Sequence, residues 1–301
     1  MGAVGDGEVT AVAEAPPQVV VTEPGVYDIP EDVYHRDPVP GGSLSSSGAK
    51  KLLPPSCPAR FAYDRAHPKP PSEAMELGTA AHKLVLGCGA QLVIIDAENY
   101  RTKDARDRRD AARAAGKVPL LPDQFAQAQA MADAVRAHPV AAALFNPDGG
   151  APERSLFWQD ELTGVWLRSR LDWLPHPTRA WGRRMVIADL KSTVSADKAS
   201  VTKHMHNYRY FQQAPFYSDG VRALGLDDDP AFVFVFVESA PPHLISFARL
   251  DDDAMARGRV LNRRAIERYR DCKEAGVWPG YSDEIEVISL PPWAYSELET
   301  L

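Results

Sequence analysis

Two acidic residues at the ends of neighbouring predicted strands constrain the fold of this chain most strongly. Residues 164–174 alternate apolar and polar side chains, which predicts a half-buried strand with Asp172 on its polar face. Residues 184–192 form a nearly continuous apolar run that ends in charge, as a strand buried on both faces does. Because side chains alternate along a strand, Asp189 and Lys191 project from the same face. The sequence thus predicts two carboxylates and one amine on adjacent strands.

This trio has the composition of a site for metal-assisted phosphodiester hydrolysis. Mg²⁺ prefers oxygen ligands and commonly takes one or two carboxylates together with waters and phosphate oxygens. We expect Asp172, Asp189 and the backbone carbonyl of Leu190 to be protein ligands. The ammonium of Lys191 would orient the attacking water or offset charge on the phosphorus. A plain ion pair at the strand ends is the alternative explanation, so the neighbouring motifs decide between the two.

Two helical motifs flank the trio. Downstream, Gln213 and Tyr217 stand four residues apart and share a helical face. Upstream, Gly78 and His82 have the same spacing in a segment that ends at Gly87, a typical helix stop. In this order the motifs resemble those of the RecB-like branch of the PD-(D/E)XK nuclease superfamily. The resemblance implies that His82 reaches the metal and that Gln213 and Tyr217 position the site or the scissile strand.

Three N-terminal segments narrow the resemblance. Residues 25–35, 44–53 and 56–61 resemble the first part of exodeoxyribonuclease VIII, the RecE-type exonucleases of phages and prophages. The resemblance spans about residues 24–275 and implies an α/β fold. Its core would be restriction-endonuclease-like, with a central mixed sheet flanked by helices.

The segments outside the motifs predict one catalytic domain with an arm and an insertion. Residues 1–23 show no sustained periodicity and are predicted to be a disordered arm. No boundary divides the motifs that follow, so we expect a single domain over residues 24–301. A helical, basic insertion is expected around residues 95–140.

The resemblance also implies an activity and its partners. The expected reaction is Mg²⁺-dependent 5′-to-3′ digestion of linear double-stranded DNA, with Mn²⁺ as an alternative metal. It leaves 3′ single-stranded tails for recombination by strand annealing. A ring-shaped homo-oligomer, trimeric or tetrameric, and a single-strand annealing protein are the implied partners beside DNA ends. Related exonucleases place one more acidic residue near the metals, for which Glu153 is the candidate here.

Further side chains are candidates for contacts with DNA. The densest basic stretch could grip phosphates above a DNA end, although its mixed signs are equally typical of a solvated helix. Hydroxyl groups after the Asp-x-Lys motif could bind a phosphate or cap a helix, and exposed aromatic rings could stack on bases. The candidates are Arg106, Arg108, Arg109, Arg168, Arg170, Ser192, Thr193 and Tyr208.

The charge of the chain is unevenly distributed. A net charge of −7 argues against broad adhesion to DNA. Residues 50–117, however, carry +5 and residues 168–209 carry +6, whereas the remainder carries −18. This distribution predicts a basic channel on an acidic body, which would confine DNA binding to the site.

Several classes of protein are disfavoured by what the sequence lacks. Three scattered cysteines cannot supply the four ligands of an iron–sulfur cluster, and they are expected to be free thiols in a reducing cytoplasm. No phosphate-binding loop or dinucleotide-binding glycine motif is present, so no ATP site is expected. The absence of a signal peptide or long apolar span predicts a cytoplasmic protein that does not use a membrane, of phage or prophage origin by resemblance.

Two alternatives remain open from the sequence. One is a structure-specific or endonucleolytic RecB-like nuclease of repair or CRISPR adaptation, against which the missing cysteine ligands count. The other is a catalytically silent module that binds DNA ends, because a fold can outlive its chemistry. The intact Asp172, Asp189, Lys191 and His82 positions count against a silent module.

Overall fold

A computed structural model describes residues 19–176, 184–291 and Ala294. Most of the predicted N-terminal arm therefore lies outside the described residues. Among the helices within these ranges, none combines the length and the apolar character that crossing a membrane requires.

The described part of the chain contains nine strands and ten helices. In chain order they are β1 (Gly25–Tyr27), α1 (Glu31–Arg36), β2 (Leu44–Ser45), α2 (Ser46–Lys51), α3 (Pro58–Ala66), α4 (Glu73–Leu86), β3 (Leu92–Ile94), α5 (Lys103–Ala114), β4 (Val118–Leu120), α6 (Pro122–Ala137), α7 (Pro139–Leu144), β5 (Gly150–Gln159), β6 (Trp166–Pro175), β7 (Val186–Thr193), α8 (Lys198–Asn207), α9 (Tyr210–Ala223), β8 (Ala231–Glu238), β9 (Ile245–Ala248) and α10 (Asp252–Ala275).

The central sheet is mixed, which confirms the predicted architecture. Its strand order is β1-β5-β6-β7-β8-β9, and β2 adds a short parallel pair to β6. Strands β5, β6 and β7 pair antiparallel in sequence order, whereas β7 and β8 are parallel and are joined through α8 and α9. A parallel pair needs such a crossover, because the chain must return to the start of the neighbouring strand.

Helices cover both faces of the sheet. On one face, α9 and α10 pack on residues such as Leu171, Ile187 and Phe234, all of which are almost fully buried. On the other face, α4 and α6 pack on Leu190 and Val235, which are also fully buried. Strand β7 is therefore buried on both sides, which explains its nearly continuous apolar sequence. Polar groups at its end face the site described below.

Helices α9 and α10 approach each other closely at one glycine. A Cβ atom added to Gly258 would lie 1.8 Å from the carbonyl oxygen of Phe211 and 2.7 Å from Pro215 Cγ. Both partners lie on α9, which also carries Gln213. The contact fixes the position of α9 over the sheet, because only glycine allows the two helix backbones this separation.

The predicted insertion forms helices α5 and α6 with a small parallel sheet of β3 and β4. The predicted helical character of residues 95–140 is thus present, but the two three-residue strands were too short to show a period in the sequence. Arg113 of α5 donates to both carboxylate oxygens of the buried Glu76, at 2.7 and 2.9 Å. This bidentate pair ties the insertion to α4, the helix that carries His82.

Candidate active site

The register of β6 and β7 brings the two predicted aspartates together. Trp173 pairs with Ala188 in this antiparallel ladder, which places Asp172 and Asp189, the residues next to this pair, close to each other. The backbone N–H of Leu190 then donates to Asp172 Oδ2 at 2.7 Å. Here the side chain of an aspartate on β6 accepts the hydrogen bond of a backbone N–H of β7.

His82 reaches the same point from α4. Its Nε2 lies 2.7 Å from the carbonyl oxygen of Leu190, and its Nδ1 lies 3.6 Å from Asp172 Oδ2. A carbonyl oxygen only accepts, so Nε2 carries the proton of the neutral ring and Nδ1 presents a lone pair toward Asp172. The pKa of His82 is lowered, by burial first and then by the charge of Lys191, which favours this neutral form.

Close approach of α4 to the end of β7 depends on Gly78. A Cβ atom at this position would lie 2.9 Å from Ser192 Oγ. The helix itself begins at Ser72, whose side chain accepts from the Met75 backbone N–H, and it ends at Gly87 in the left-handed conformation. The Gly-x-x-x-His spacing thus places a small residue at the contact and the histidine one turn later, beside β7.

Glu153 joins His82 and Asp172 in a cluster with the geometry of a metal site. One ligand atom from each residue lies within 4.8 Å of the other two. Strand β5 pairs with β6 through Pro152 with Trp173 and Arg154 with Leu171. Glu153 of β5 therefore lies opposite Asp172 of β6. Glu153 has a φ of 54°, a left-handed conformation unusual for a strand residue, and its carboxylate pairs with Arg170.

Asp189 forms the second half of the site with Lys191 and Gln213. Gln213 Nε2 donates to Asp189 Oδ1 at 2.7 Å, and Lys191 Nζ lies 2.5 Å from Asp189 Oδ2. Asp189 is almost fully buried, with 2% exposure. Its Oδ2 accepts no hydrogen bond of ordinary geometry from the described residues, so the close ammonium contacts it as a charge.

Burial and mutual repulsion prepare the carboxylates for a cation. The pKa of Asp172 is raised to about 7, by burial first and then by the charge of Asp189. The pKa of Glu153 is also raised, by burial first and then by Asp172. Adjacent carboxylates in a desolvated site hold negative charge at a cost that a divalent cation removes.

The residues present therefore fit a divalent metal ion. Asp172, Glu153 and the Nδ1 atom of His82 form the ligand cluster, and the next carboxylate oxygen is Oδ2 of Asp189, which contacts the Lys191 ammonium. Carboxylate oxygens suit Mg²⁺ and Mn²⁺, whereas an imidazole ligand suits Mn²⁺ better than Mg²⁺. The predicted Leu190 carbonyl already accepts from His82, which leaves it one lone pair.

Lys191 keeps its positive charge beside these acids. Burial alone would lower the pKa of Lys191, but Asp189 and Asp172 outweigh burial and raise it above its ordinary value. Its Nζ also lies 5.3 Å from the centroid of the Tyr210 ring. A protonated amine held by a carboxylate and an aromatic face is positioned to donate to a phosphate oxygen or a water.

Tyr217 lies one turn after Gln213 on α9, as the motif predicts. Its ring packs edge-on against Phe232 at 5.9 Å between centroids. The pKa of Tyr217 is raised, by burial first and then by Tyr34 and the site carboxylates. The hydroxyl group is therefore a neutral donor near the acids, and its positioning role stays a prediction.

The predicted DNA-contacting residues fall into two groups. Arg168 and Arg170 are largely buried by protein partners: Arg168 donates to Ser43 and pairs with Asp37 at 2.8 Å, and Arg170 pairs with Glu153. These contacts give both arginines a structural role, and any contact with DNA stays a prediction. In the second group Thr193 is buried and Arg109 is half-buried, whereas the exposed members are Arg106, Arg108, Ser192 and Tyr208.

Partners within the protein also engage most of the second group. Arg106 donates to the Arg101 carbonyl oxygen, and Arg109 lies 5.1 Å from the centroid of the Tyr100 ring. Arg108 pairs with Asp104 at 3.8 Å, and Thr193 donates to the Ser195 carbonyl oxygen at 2.9 Å. Tyr208 is 58% exposed, and it retains the accessible ring that stacking on a base requires.

A cleft of about 1420 Å³ opens beside Glu153 and Arg170. Its walls come from α1, α4 and the end of α5, and include Glu31, Thr79 and Lys117. Of the metal-ligand cluster, the cleft is lined by Glu153 and by neither His82 nor Asp172. It is the space through which an extended substrate could approach the carboxylates.

Sequence reasoning missed Lys50 as a side chain of the site, and it considered Tyr210 only for stacking on bases or packing beside DNA. The Tyr210 ring packs against Phe234 and faces the ammonium groups of both Lys50 and Lys191. Tyr210 stands three residues before Gln213, so the helical period of α9 could have placed it near the Gln-x-x-x-Tyr face. Lys50 comes from α2, far away in sequence, and no local pattern indicates its location.

Comparison with known proteins agrees with this fold. No curated protein matches the sequence significantly. Among solved structures, the crystal structure of a "putative exonuclease" from Eubacterium rectale is similar to this one, with a TM-score of 0.59 and 13% sequence identity. The match covers 91% of this chain and 100% of that chain, and at this identity it bears on the fold alone.

A family model provides the assignment. Residues 45–291 match the family described as a PDDEXK-like domain of unknown function, DUF3799. The matched range contains all the predicted catalytic residues and all three residues of the metal-ligand cluster. PDDEXK nucleases are generally dependent on divalent metals, as the acidic cluster would require. The chain therefore belongs to the PDDEXK-like DUF3799 family.

Proposed function

We propose that this protein is a divalent-metal-dependent exodeoxyribonuclease that hydrolyses linear double-stranded DNA. The observation that carries the proposal is that the metal-ligand cluster lies beside the Asp189–Lys191 ion pair, where β6 meets β7. His82, Glu153 and Asp172 form a metal-ligand cluster, and Asp189 holds Lys191 beside it. This is the arrangement of carboxylates and one amine that phosphodiester hydrolysis requires. The PDDEXK family and the fold of the exonuclease-like neighbour support a hydrolytic nuclease.

Each side chain has a distinct role in the proposed reaction. A divalent cation bound by the cluster would neutralise phosphate charge and lower the pKa of a water molecule. Lys191, which stays protonated, donates to a phosphate oxygen or holds the attacking water. Gln213 fixes the carboxylate of Asp189 through one oxygen and leaves the other toward Lys191. The hydrogen bond from His82 Nε2 to the Leu190 carbonyl oxygen fixes the orientation of the ring, so the Nδ1 lone pair stays directed at the ligand cluster.

The finer specificity belongs to the same proposal. We propose 5′-to-3′ digestion that leaves 3′ single-stranded tails, a ring-shaped trimer or tetramer, and a single-strand annealing protein as partner in recombination. We also propose a phage or prophage origin for the protein. The support is the ordered set of motifs from residues 25–35 to Tyr217 that resembles RecE-type exonucleases.

The test is a comparison of linear, nicked and covalently closed circular duplexes. Linear DNA carries a label at either the 5′ or the 3′ end, and reactions contain Mg²⁺, Mn²⁺ or EDTA. We expect digestion of linear DNA only, early release of the 5′ label, and no reaction in EDTA. Lys191→Ala and Asp189→Ala should remove activity while the proteins stay folded. Cutting of closed circles would contradict an exonuclease and favour an endonuclease, and binding without cutting would favour a silent module.

A further inference from the structure

A second ammonium group faces the site from α2. Lys50 Nζ lies 5.5 Å from the centroid of the Tyr210 ring, and Lys191 Nζ lies 5.3 Å from the same centroid. One aromatic ring therefore contacts two cations that come from α2 and β7. Only Lys191 belongs to the recognised motif.

Lys50 lacks the counter-charge that partly buried cations normally have. It is half-buried, yet its Nζ forms no ion pair or hydrogen bond with a residue of the ranges the structure describes. The nearest acid of the site, Asp189, is already engaged by Lys191 and Gln213. Consistent with this, the pKa of Lys50 is lowered to about 7, by burial first and then by the charge of Lys191.

The neighbouring Lys51 differs from Lys50 because it has an acidic partner. Lys51 is exposed and its Nζ lies 2.9 Å from Asp64 Oδ2. The contrast between two consecutive lysines is the reason to assign Lys50 a ligand. A half-buried cation without a partner destabilises the fold, and an arriving anion removes that cost.

The backbone of Lys50 is held relative to the site. Arg209, in a left-handed conformation just before α9, donates to the carbonyl oxygens of Lys50 and Pro54 and to Gln212 Oε1. Helix α2 is also packed closely at Gly48, where a Cβ atom would lie 3.0 Å from the Phe61 ring. These contacts couple α2 to the helix that carries Gln213, so Lys50 is presented from a fixed backbone.

We propose that Lys50 binds a non-bridging phosphate oxygen of the DNA strand, at the phosphate next to the one that Lys191 contacts. The ligand class is a phosphodiester or a terminal phosphate monoester, since both present the same anionic oxygens. This inference rests on the proposed function, because it takes DNA as the substrate. The recognition is charge-assisted, so loss of the ammonium weakens binding more than it slows the chemical step.

The test measures DNA binding as a function of salt concentration. Fluorescently labelled linear duplex is titrated with the full-length protein in EDTA, which prevents cleavage. Lys50→Met removes the charge and keeps an apolar chain, Lys50→Arg restores the charge, and Lys51→Met is the matched control. Each phosphate contact contributes about 0.7–0.9 to the slope of log Kd against log salt. We expect the slope of Lys50→Met to fall by that amount and its Kd to weaken about tenfold.

The remaining outcomes separate the inference from the proposed function. Unchanged slope and affinity in Lys50→Met, with wild-type binding intact, would overturn the role of Lys50 alone. A wild-type protein that neither binds nor cuts DNA would overturn the proposed function as well. With Mg²⁺ or Mn²⁺ present, KM should rise in Lys50→Met much more than kcat falls, and Lys50→Arg should recover most of the loss. The melting temperature of Lys50→Met should equal or exceed that of the wild type.

Two DNA ends distinguish the sources of the phosphate. Binding is compared for duplexes with a 5′-phosphate and with a 5′-hydroxyl group. If the effect of Lys50→Met is confined to the phosphorylated end, Lys50 binds the terminal monoester. If both ends show the same loss, it binds an internal phosphodiester. A loss of equal size in Lys51→Met would reject a specific site at Lys50.

Discussion

The metal-free protein should lose stability as pH rises through the range in which Asp172 titrates. Burial and the charge of Asp189 raise the pKa of Asp172 from 3.8 to about 7 in the folded protein. The folded state then binds more protons than the unfolded state between these two values. The contribution of Asp172 to the free energy of unfolding therefore falls with increasing pH across this window, and the full cost is present above pH 7.

The size of this effect follows from the shift in pKa. A shift of about three units corresponds to roughly 4 kcal/mol, at 1.36 kcal/mol per unit, for an isolated group. Between pH 5 and pH 8 we therefore expect Asp172 to contribute roughly 2–4 kcal/mol. The side chain of Asp172 is only 15% exposed, so solvent screening removes little of the effect.

The perturbation that tests this reasoning is Asp172→Asn. Asparagine keeps an oxygen acceptor for the Leu190 backbone N–H but cannot ionise. In EDTA at pH 8 the variant should be more stable than the wild type by roughly 2–4 kcal/mol, and its stability should change less with pH. Mg²⁺ or Mn²⁺ should stabilise the wild type at pH 8 and the variant much less, because the variant lacks the charged carboxylate oxygen of Asp172 as a metal ligand.

Denaturant unfolding monitored by circular dichroism at four pH values from 5 to 8 gives these free energies. Glu98→Gln is the matched control, because Glu98 is an exposed acid whose neutralisation should leave the pH profile unchanged. The reasoning is refuted if the stability advantage of Asp172→Asn over the wild type in EDTA does not grow from pH 5 to pH 8. It is also refuted if Asp172→Asn destabilises the metal-free protein at pH 8.

Three further substitutions test contacts that position the site. Gln213→Leu should destabilise the protein by about 1–3 kcal/mol, because it leaves an oxygen of the buried Asp189 without a donor. It should also lower kcat, while the hydrogen-exchange protection of the neighbours of α9 stays unchanged. Gly78→Ala should be stabilising by up to about 1 kcal/mol only in a Ser192→Ala background, where the 2.9 Å contact is gone; equal effects in both backgrounds would contradict the contact. Gly258→Ala should cost about 3 kcal/mol or more, since its Cβ would meet the backbone of α9 at 1.8 Å, and wild-type stability in chemical denaturation would contradict the packing.

The parts of the site that follow from local periodicity were predictable from the sequence. Alternation along β7 places Asp189 and Lys191 on one face, and the structure pairs them there. Four-residue spacing on helices places His82 beside β7 and Gln213 beside Asp189. The mixed sheet between helices was implied by the family resemblance of the ordered motifs, and the structure has it.

The parts that depend on tertiary packing were not predictable in the same way. Glu153 enters the metal-ligand cluster with a left-handed backbone, which alternation along a strand does not indicate. Lys50 reaches the Tyr210 ring because α2 packs beside α9. The roles of Arg168 were hidden for a similar reason, since its partner Asp37 lies in a distant loop.

The most direct test of the central claim is the metal-dependent release of nucleotides from linear duplex DNA by wild type and Lys191→Ala. Both proteins are first matched by circular dichroism and melting temperature, so that folding does not explain a difference. The account predicts release by the wild type with Mg²⁺ or Mn²⁺, none in EDTA, and a loss of at least 100-fold in kcat for Lys191→Ala, of the order seen when one transition-state donor is removed. Equal release by the two proteins, or release in EDTA, would contradict it.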